Sequence, residues 1–233
     1  MSGVAARFEL IRARVDAAAI KAGRDPKSVR LLAVSKGQPS ELLREAYAAG
    51  QRDFGENYVQ ELAKKAEELA DLPDLRLFMI GHLQRNKAKV VVRHAAGVHS
   101  VDSVELALEL DKRVAEGQIL PVLIEVSIAG EAQKSGVPPE ELGALLDRVR
   151  ACARLRAVGL MCVPPDSDDP ESARPFFSKL RELRDRHGGA GELPELSMGM
   201  SADFEIAIAE GSTMVRVGTA IFGPRKPRGG PES

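Results

Sequence analysis

A chain of 233 residues with 44% hydrophobic and 29% charged side chains holds enough apolar material for one packed α/β unit of barrel size or for two small domains. Lys and Arg (33) balance Asp and Glu (34) to a formal net charge of −1, so the overall charge does not point to a nucleic acid or a membrane surface. Two cysteines, Cys152 and Cys162, are too few for a disulfide framework or metal cage. No apolar run approaches the roughly 20 residues of a membrane span, and an N-terminus carrying Arg7 and Glu9 does not read as a secretory signal. A cytoplasmic protein is expected.

Val4, Phe8, Ile11, Val15 and Ala18 or Ala19 recur at helical spacing, predicting an amphipathic helix from about Val4 to Ala22, stopped by Gly23 and Pro26. Val29–Ser35 is an apolar strand ending on Lys36. Pro39 opens a helix with Leu42, Leu43, Ala46 and Tyr47, and Gly50 suits its end. Arg52–Gly55 is a short strand, followed by Glu56, Asn57 and a helix carrying Tyr58, Leu62, Ala66 and Leu69. Leu75–Ile80 is a third strand ending at Gly81 and His82, and the basic run Gln84–Lys89 opens the next helix. Gly97–Val101 is a fourth strand, with Asp102 or Ser103 to cap the helix Val104–Ala115.

Leu120–Ser127 is the clearest strand. A loop with Gly130, Lys134, Ser135 and Gly136 leads to a helix started by Pro138 and Pro139. Leu155–Met161 is a sixth strand, and Asp169-Pro170 starts a helix bearing Phe176, Phe177, Leu180 and Leu183. Glu195–Met198 is a seventh strand, Ser201-Ala202-Asp203 opens a helix to Glu210, and Met214–Val217 is an eighth strand, followed by Gly218 to Gly223. Short, apolar, non-alternating strands that alternate with helices are the pattern of a parallel sheet buried on both faces. The expected fold is a (β/α)8 TIM-type barrel with an extra N-terminal helix; a doubly wound open sheet is the competing architecture. Residues 1–223 are expected to form one domain, and the Pro-, Gly- and Arg-rich tail 224–233 to be disordered.

In a barrel, the C-terminal strand ends converge on one face. Lys36, Asn57, His82, Ser197, Met200, Ser201, Arg216, Gly218 and Thr219 all fall at or just after such ends. A lysine there is either a solvated strand end or an amine nucleophile of the Schiff-base type. Gly199–Asp203 entering a helix, and Val217–Ala220 after the last strand, are each an ordinary turn taken alone. Together they stand where barrels bind phosphate. Arg216 within a buried strand needs a partner: either an ion pair, for instance with Glu125, or a cofactor ring. His82 and His99 are general-base candidates that are more commonly structural. Cys162 sits at a strand end, a position that could face the cavity, without the surroundings of a nucleophile.

Leu32–Lys36, Phe54–Glu61, Ile80–Lys87, Gly159–Met161, Leu196–Ser201 and Val215–Gly223, in order between Val29 and Gly223, resemble the pyridoxal phosphate homeostasis protein family. These are PLP-binding relatives of the alanine racemase barrel. The resemblance implies a modified TIM barrel of PLP-binding fold type III that holds pyridoxal 5'-phosphate (PLP) as an aldimine on Lys36. Ser201, Gly218, Thr219 and the Met200 backbone would take the phosphate, Arg216 the pyridine nitrogen and Asn57 the ring's polar edge, with His82 completing the expected cofactor-binding set. The departures are Ala202, where glycine is common, and Cys162, where threonine is common.

The implied role is a PLP carrier or regulator of vitamin B6 and amino-acid pools without established turnover. PLP-dependent apoenzymes are the expected recipients, and the chain is expected to act as a monomer, with no nucleic-acid or membrane partner. The alternative is a PLP-dependent amino-acid racemase or lyase, which needs a second acid/base opposite the lysine. The chain ends soon after the eighth strand, so no second domain is expected, and Tyr47 and Tyr58 fall on predicted helices. A phosphate-substrate barrel enzyme without PLP would leave Lys36 unexplained.

Overall fold

The computed structural model describes residues 3–130 and 135–224. Lys134 and, for residues 225–233, the expected disorder of the tail lie outside them. Eight parallel strands pair in sequence order and close into a barrel: β1 (Arg30–Val34), β2 (Asp53–Glu56), β3 (Arg76–Met79), β4 (Gly97–Val101), β5 (Leu120–Glu125), β6 (Leu155–Met161), β7 (Glu195–Ser197) and β8 (Met214–Val217). Helix α1 (Val4–Lys21) precedes the barrel. The connections carry α2 (Ser40–Ala48), α3 (Val59–Glu68), α4 (Ala88–His94), α5 (Val104–Arg113), α6 (Leu142–Arg150), α7 (Arg174–Arg186), the one-turn α8 (Gly189–Glu192) and α9 (Phe204–Ala209), and α10 (Thr219–Phe222) follows β8.

Alternation along each strand sorts the side chains. In β1, Leu31 and Ala33 join the main core between strands and helices, whereas Leu32 packs with Phe78 and Met214 in a separate cluster inside the barrel. The residues that open four of the strands are charged. Arg30 pairs with Glu195 at 2.7 Å, and Arg76 with Asp53 at 2.6 Å. They close the end of the barrel opposite the strand C-termini. Helix α1 buries Val4, Phe8, Ile11, Val15 and Ala19, and Arg7 donates to the Ile221 carbonyl at 2.7 Å, which ties the start of the chain to α10.

Several expected helix starts are displaced, each for a local reason. Ser201–Asp203 is a turn and α9 begins at Phe204, because the Asp203 carboxylate accepts the Met200 N–H at 2.6 Å and closes the loop first. The basic run forms a 3-10 turn at Arg85–Lys87 ahead of α4. Ser103 stands at the N-cap of α5, but its hydroxyl donates to Asp102 rather than accepting a helix N–H. Residues 139–141 form a turn, so α6 starts at Leu142. Asp169 does cap its segment, accepting the Glu171 N–H at 3.0 Å. Among the described residues, no helix is long and apolar enough to cross a membrane.

The β6–β7 seam tolerates no side chain at Gly159, which pairs with Glu195: a Cβ there would lie 1.9 Å from the Glu195 carbonyl oxygen. Gly159→Ala is therefore expected to destabilise the protein by about 1–3 kcal/mol, read as a lower urea midpoint at unchanged slope. An unchanged midpoint would refute this account of the seam.

Candidate functional site

Lys36 leaves the end of β1 in a tight turn. The Gln38 N–H donates to the Ser35 carbonyl at 3.0 Å, and Gly37 takes the left-handed conformation, with φ of +70°, at the third position. That position needs φ > 0, which is why glycine follows the lysine. The turn places Lys36 in the wall of a cavity of about 240 Å³ at the C-terminal face of the barrel. The size is at the small end for ligand pockets and suits a compact ligand.

The same cavity is lined by Asn57, Met200, Ser201, Arg216, Gly218 and Thr219, together with Val34, Gln38, Ile80 and Val163. His82 is not in this lining. Its Nδ1 lies 3.3 Å from Asp102, and both side chains line a separate surface depression with Gln84, Arg85 and Glu105. The Met200 N–H is engaged by Asp203, so the polar contribution of this loop to the cavity falls to Ser201. Across the cavity, Gly218 lies close against β1: a Cβ on it would sit 3.1 Å from the Val34 carbonyl oxygen. The first turn of α10 starts there, with N–H groups that have no intrahelical acceptor.

Asn57 is held from behind by Gly81, where any Cβ would fall 2.5 Å from the Asn57 carbonyl oxygen. Its side-chain oxygen is buried without a hydrogen-bond partner among the described residues. An orphaned buried polar atom on a cavity-lining residue is the kind of group that can accept from the polar edge of a ligand.

Arg216 is buried in β8 and, among the described residues, bonds only to neutral acceptors: one terminal nitrogen donates to the Ser197 carbonyl and hydroxyl at 2.7 and 2.8 Å, the other to the Cys162 carbonyl at 2.9 Å. The expected alternative of an ion pair with Glu125 is not formed among the described residues: the bonds of Arg216 go to Ser197 and Cys162 instead. A guanidinium has five N–H donors, so two remain to serve the cavity that Arg216 lines. Burial pulls its pKa down, but a guanidinium stays charged in proteins.

That buried cation shapes its neighbours. His99, buried against the Phe78 ring, is pulled down to about 3 by burial and then by Arg216, so it is neutral at pH 7. Cys162 packs in the core outside the barrel, and burial pushes its thiol up to about 12. Its contribution to the site is its carbonyl, not a nucleophilic sulfur. No group of His, Cys, Asp and Glu suited to a metal ion occurs among the described residues.

The sequence matches the family model described as the alanine racemase N-terminal domain over residues 9–226. It is 48% identical over 227 residues to the pyridoxal phosphate homeostasis protein of Pseudomonas aeruginosa, covering 97% of each chain. It is 45% identical over 223 residues to that of Aquifex aeolicus, covering 94% of this chain and 97% of the relative. Among solved structures, PipY of Synechococcus elongatus with PLP bound superposes with a TM-score of 0.81 at 40% identity, covering 94% of this chain and 100% of that one. Alanine racemase from Corynebacterium glutamicum, at 20% identity, shares the fold with a TM-score of 0.67 over 95% of this chain and 63% of its own.

Glu125 sits at the end of β5. Burial first and then the Asp102 charge, partly offset by Arg216, push its carboxyl up to about 7 from 4.5. A folded pKa above the unfolded one contributes stability that is present below pH 4.5 and lost as pH rises through 7. Glu125→Gln cannot ionise, so it is expected to stabilise the cofactor-free protein at pH 8 by roughly 2 kcal/mol and to change little at pH 5. Melting curves at the two pH values check this, and equal shifts at both would contradict it.

Proposed function

The chain belongs to the pyridoxal phosphate homeostasis protein family, built on the alanine racemase N-terminal barrel, and from that premise we propose that its cavity holds pyridoxal 5'-phosphate through Lys36. The observation that carries this reading is the convergence of Lys36, the Ser201 and Gly218–Thr219 loops, and Arg216 on one small cavity. The donor set fits the cofactor's chemistry. Ser201 and the first turn of α10, with Gly218 and Thr219, suit a phosphate. Asn57 offers an unpartnered oxygen to the polar edge of a ring, and Arg216 retains N–H donors for a ring nitrogen. When bound, PLP supplies an aldehyde carbon for amine capture and an electron-withdrawing pyridine ring.

The protein's own residues favour holding over turnover. A cationic donor at the ring nitrogen keeps that nitrogen unprotonated and weakens electron withdrawal, where a carboxylate partner would strengthen it. Racemase chemistry needs a second acid/base facing the lysine. Tyr47 lies on α2 under the Arg52 guanidinium, 3.9 Å above its ring, and Tyr58 lies at the start of α3. Neither lines the cavity, and His82 faces Asp102. On this reading residues 1–223 act as one binding domain and the chain works as a monomer, with the lining from Val34 to Thr219 inside that domain. The role this supports is a cytoplasmic PLP-holding protein serving vitamin B6 homeostasis, with PLP-dependent apoenzymes as recipients.

Protein purified from a PLP-replete host is expected to be yellow. Borohydride should fix the ligand on the peptide bearing Lys36, and Lys36→Ala should lose that label. A colourless protein, or label on another lysine in the wild type, would overturn the reading. Across a panel of amino acids neither racemisation nor elimination is expected; sustained turnover abolished by Lys36→Ala would instead establish the racemase or lyase alternative.

A further inference from the structure

Behind the Lys36 turn, outside the cavity lining, lies a buried ion pair that cofactor holding does not by itself require. Glu56, the last residue of β2, is fully buried. Its Oε1 accepts from Lys65 Nζ at 2.6 Å and from the Ser35 hydroxyl at 2.5 Å. Lys65, on the buried face of α3, also donates to the Ser35 carbonyl at 2.6 Å. One helical turn earlier, Glu61 accepts the Gly37 N–H at 2.6 Å through the oxygen that lies 3.5 Å from Lys65 Nζ. The peptide groups on both sides of Lys36 are therefore tied to one charged cluster.

Stability is a poor explanation for this arrangement. A buried ion pair is commonly no better for stability than apolar side chains of the same shape. Here the second Glu56 oxygen is also buried without a partner among the described residues, which adds a desolvation cost. What the cluster does supply is direction. Two charge-assisted bonds, from Lys65 to the Ser35 carbonyl and from the Gly37 N–H to Glu61, fix the planes of the peptides that flank Lys36. The Ser35 hydroxyl bond fixes the strand end from which they leave.

We propose that the Glu56–Lys65 pair is a positioning element for Lys36: it locks the turn so that the amine is aimed at an incoming aldehyde before the ligand arrives. The inference rests on PLP capture by Lys36. Preorganisation of this kind governs the rate at which a nucleophile meets its target, and small misplacements are costly there.

The test compares Lys65→Met, the double variant Glu56→Gln/Lys65→Met, and Ser35→Ala with the wild type. Three readouts are taken: urea stability and hydrogen exchange at the Gly37 and Gln38 amides in the cofactor-free protein, and the rate of the absorbance change on mixing with PLP. Lys65→Met alone strands a buried carboxylate and should lose stability; the double variant removes both charges and should regain most of it. The double variant should nevertheless exchange the two amides faster and capture PLP about tenfold more slowly, and Ser35→Ala should slow capture by about threefold while folding normally. Wild-type exchange and capture rates in the double variant and in Ser35→Ala would overturn the inference alone. A wild-type protein that captures no PLP would overturn the cofactor reading and the inference with it.

Discussion

The pairing of β1 with β8, Arg30 against Met214 through Ala33 against Val217, is the constraint on which the site depends. It closes the barrel and makes the first and last strands neighbours. Lys36 and Gly218, far apart in sequence, then leave the same edge of the sheet side by side, with Gly218 packed on the Val34 carbonyl. The β7–β8 pairing brings the Ser201 loop to the other side of Gly218. An amine and two phosphate-type loops meet because parallel closure leaves them nowhere else to go. An open sheet with the same strands would separate β1 from one of its partners.

Within that frame, Arg216 sets the electrostatics. It is a buried cation satisfied by the Ser197 hydroxyl and two backbone carbonyls rather than by a carboxylate. Burial first, and this cation second, hold His99 neutral, and the cation tempers the burial-driven rise of Glu125 toward neutral pH. Its side chain also lines the cavity as a fixed positive feature. Under the proposed reading, with Arg216 facing the ring nitrogen, such a site would suit a nitrogen that stays unprotonated, a condition for holding a cofactor more than for driving carbanion chemistry through it.

Much of this architecture is legible in the sequence, for physical reasons that vary along the chain. Gly97–Val101, Leu155–Met161 and Met214–Val217 read to the residue, because each is a short stretch, mostly apolar, set between two helical patterns and too short for a helix of its own. The start of α9 does not read correctly, because a carboxylate three residues on captures the Met200 N–H and delays the helix. His82 follows a strand end like the others, yet a strand-end position leaves side-chain direction open, and its ring turns to Asp102 across the next loop. The Glu56–Lys65 pair is the least visible feature. Lys65 does fall on the apolar stripe with Val59 and Leu62, a local hint of burial. Its partner on β2 and its target at Ser35 are set by tertiary packing, which no local period encodes.

A crystal structure of the protein grown with PLP tests the central claim most directly. The account predicts continuous density from Lys36 Nζ to the ligand, the phosphate between Ser201 and Thr219, and the ring nitrogen within hydrogen-bond distance of Arg216. A ligand attached elsewhere, or a phosphate bound outside those two loops, would contradict it.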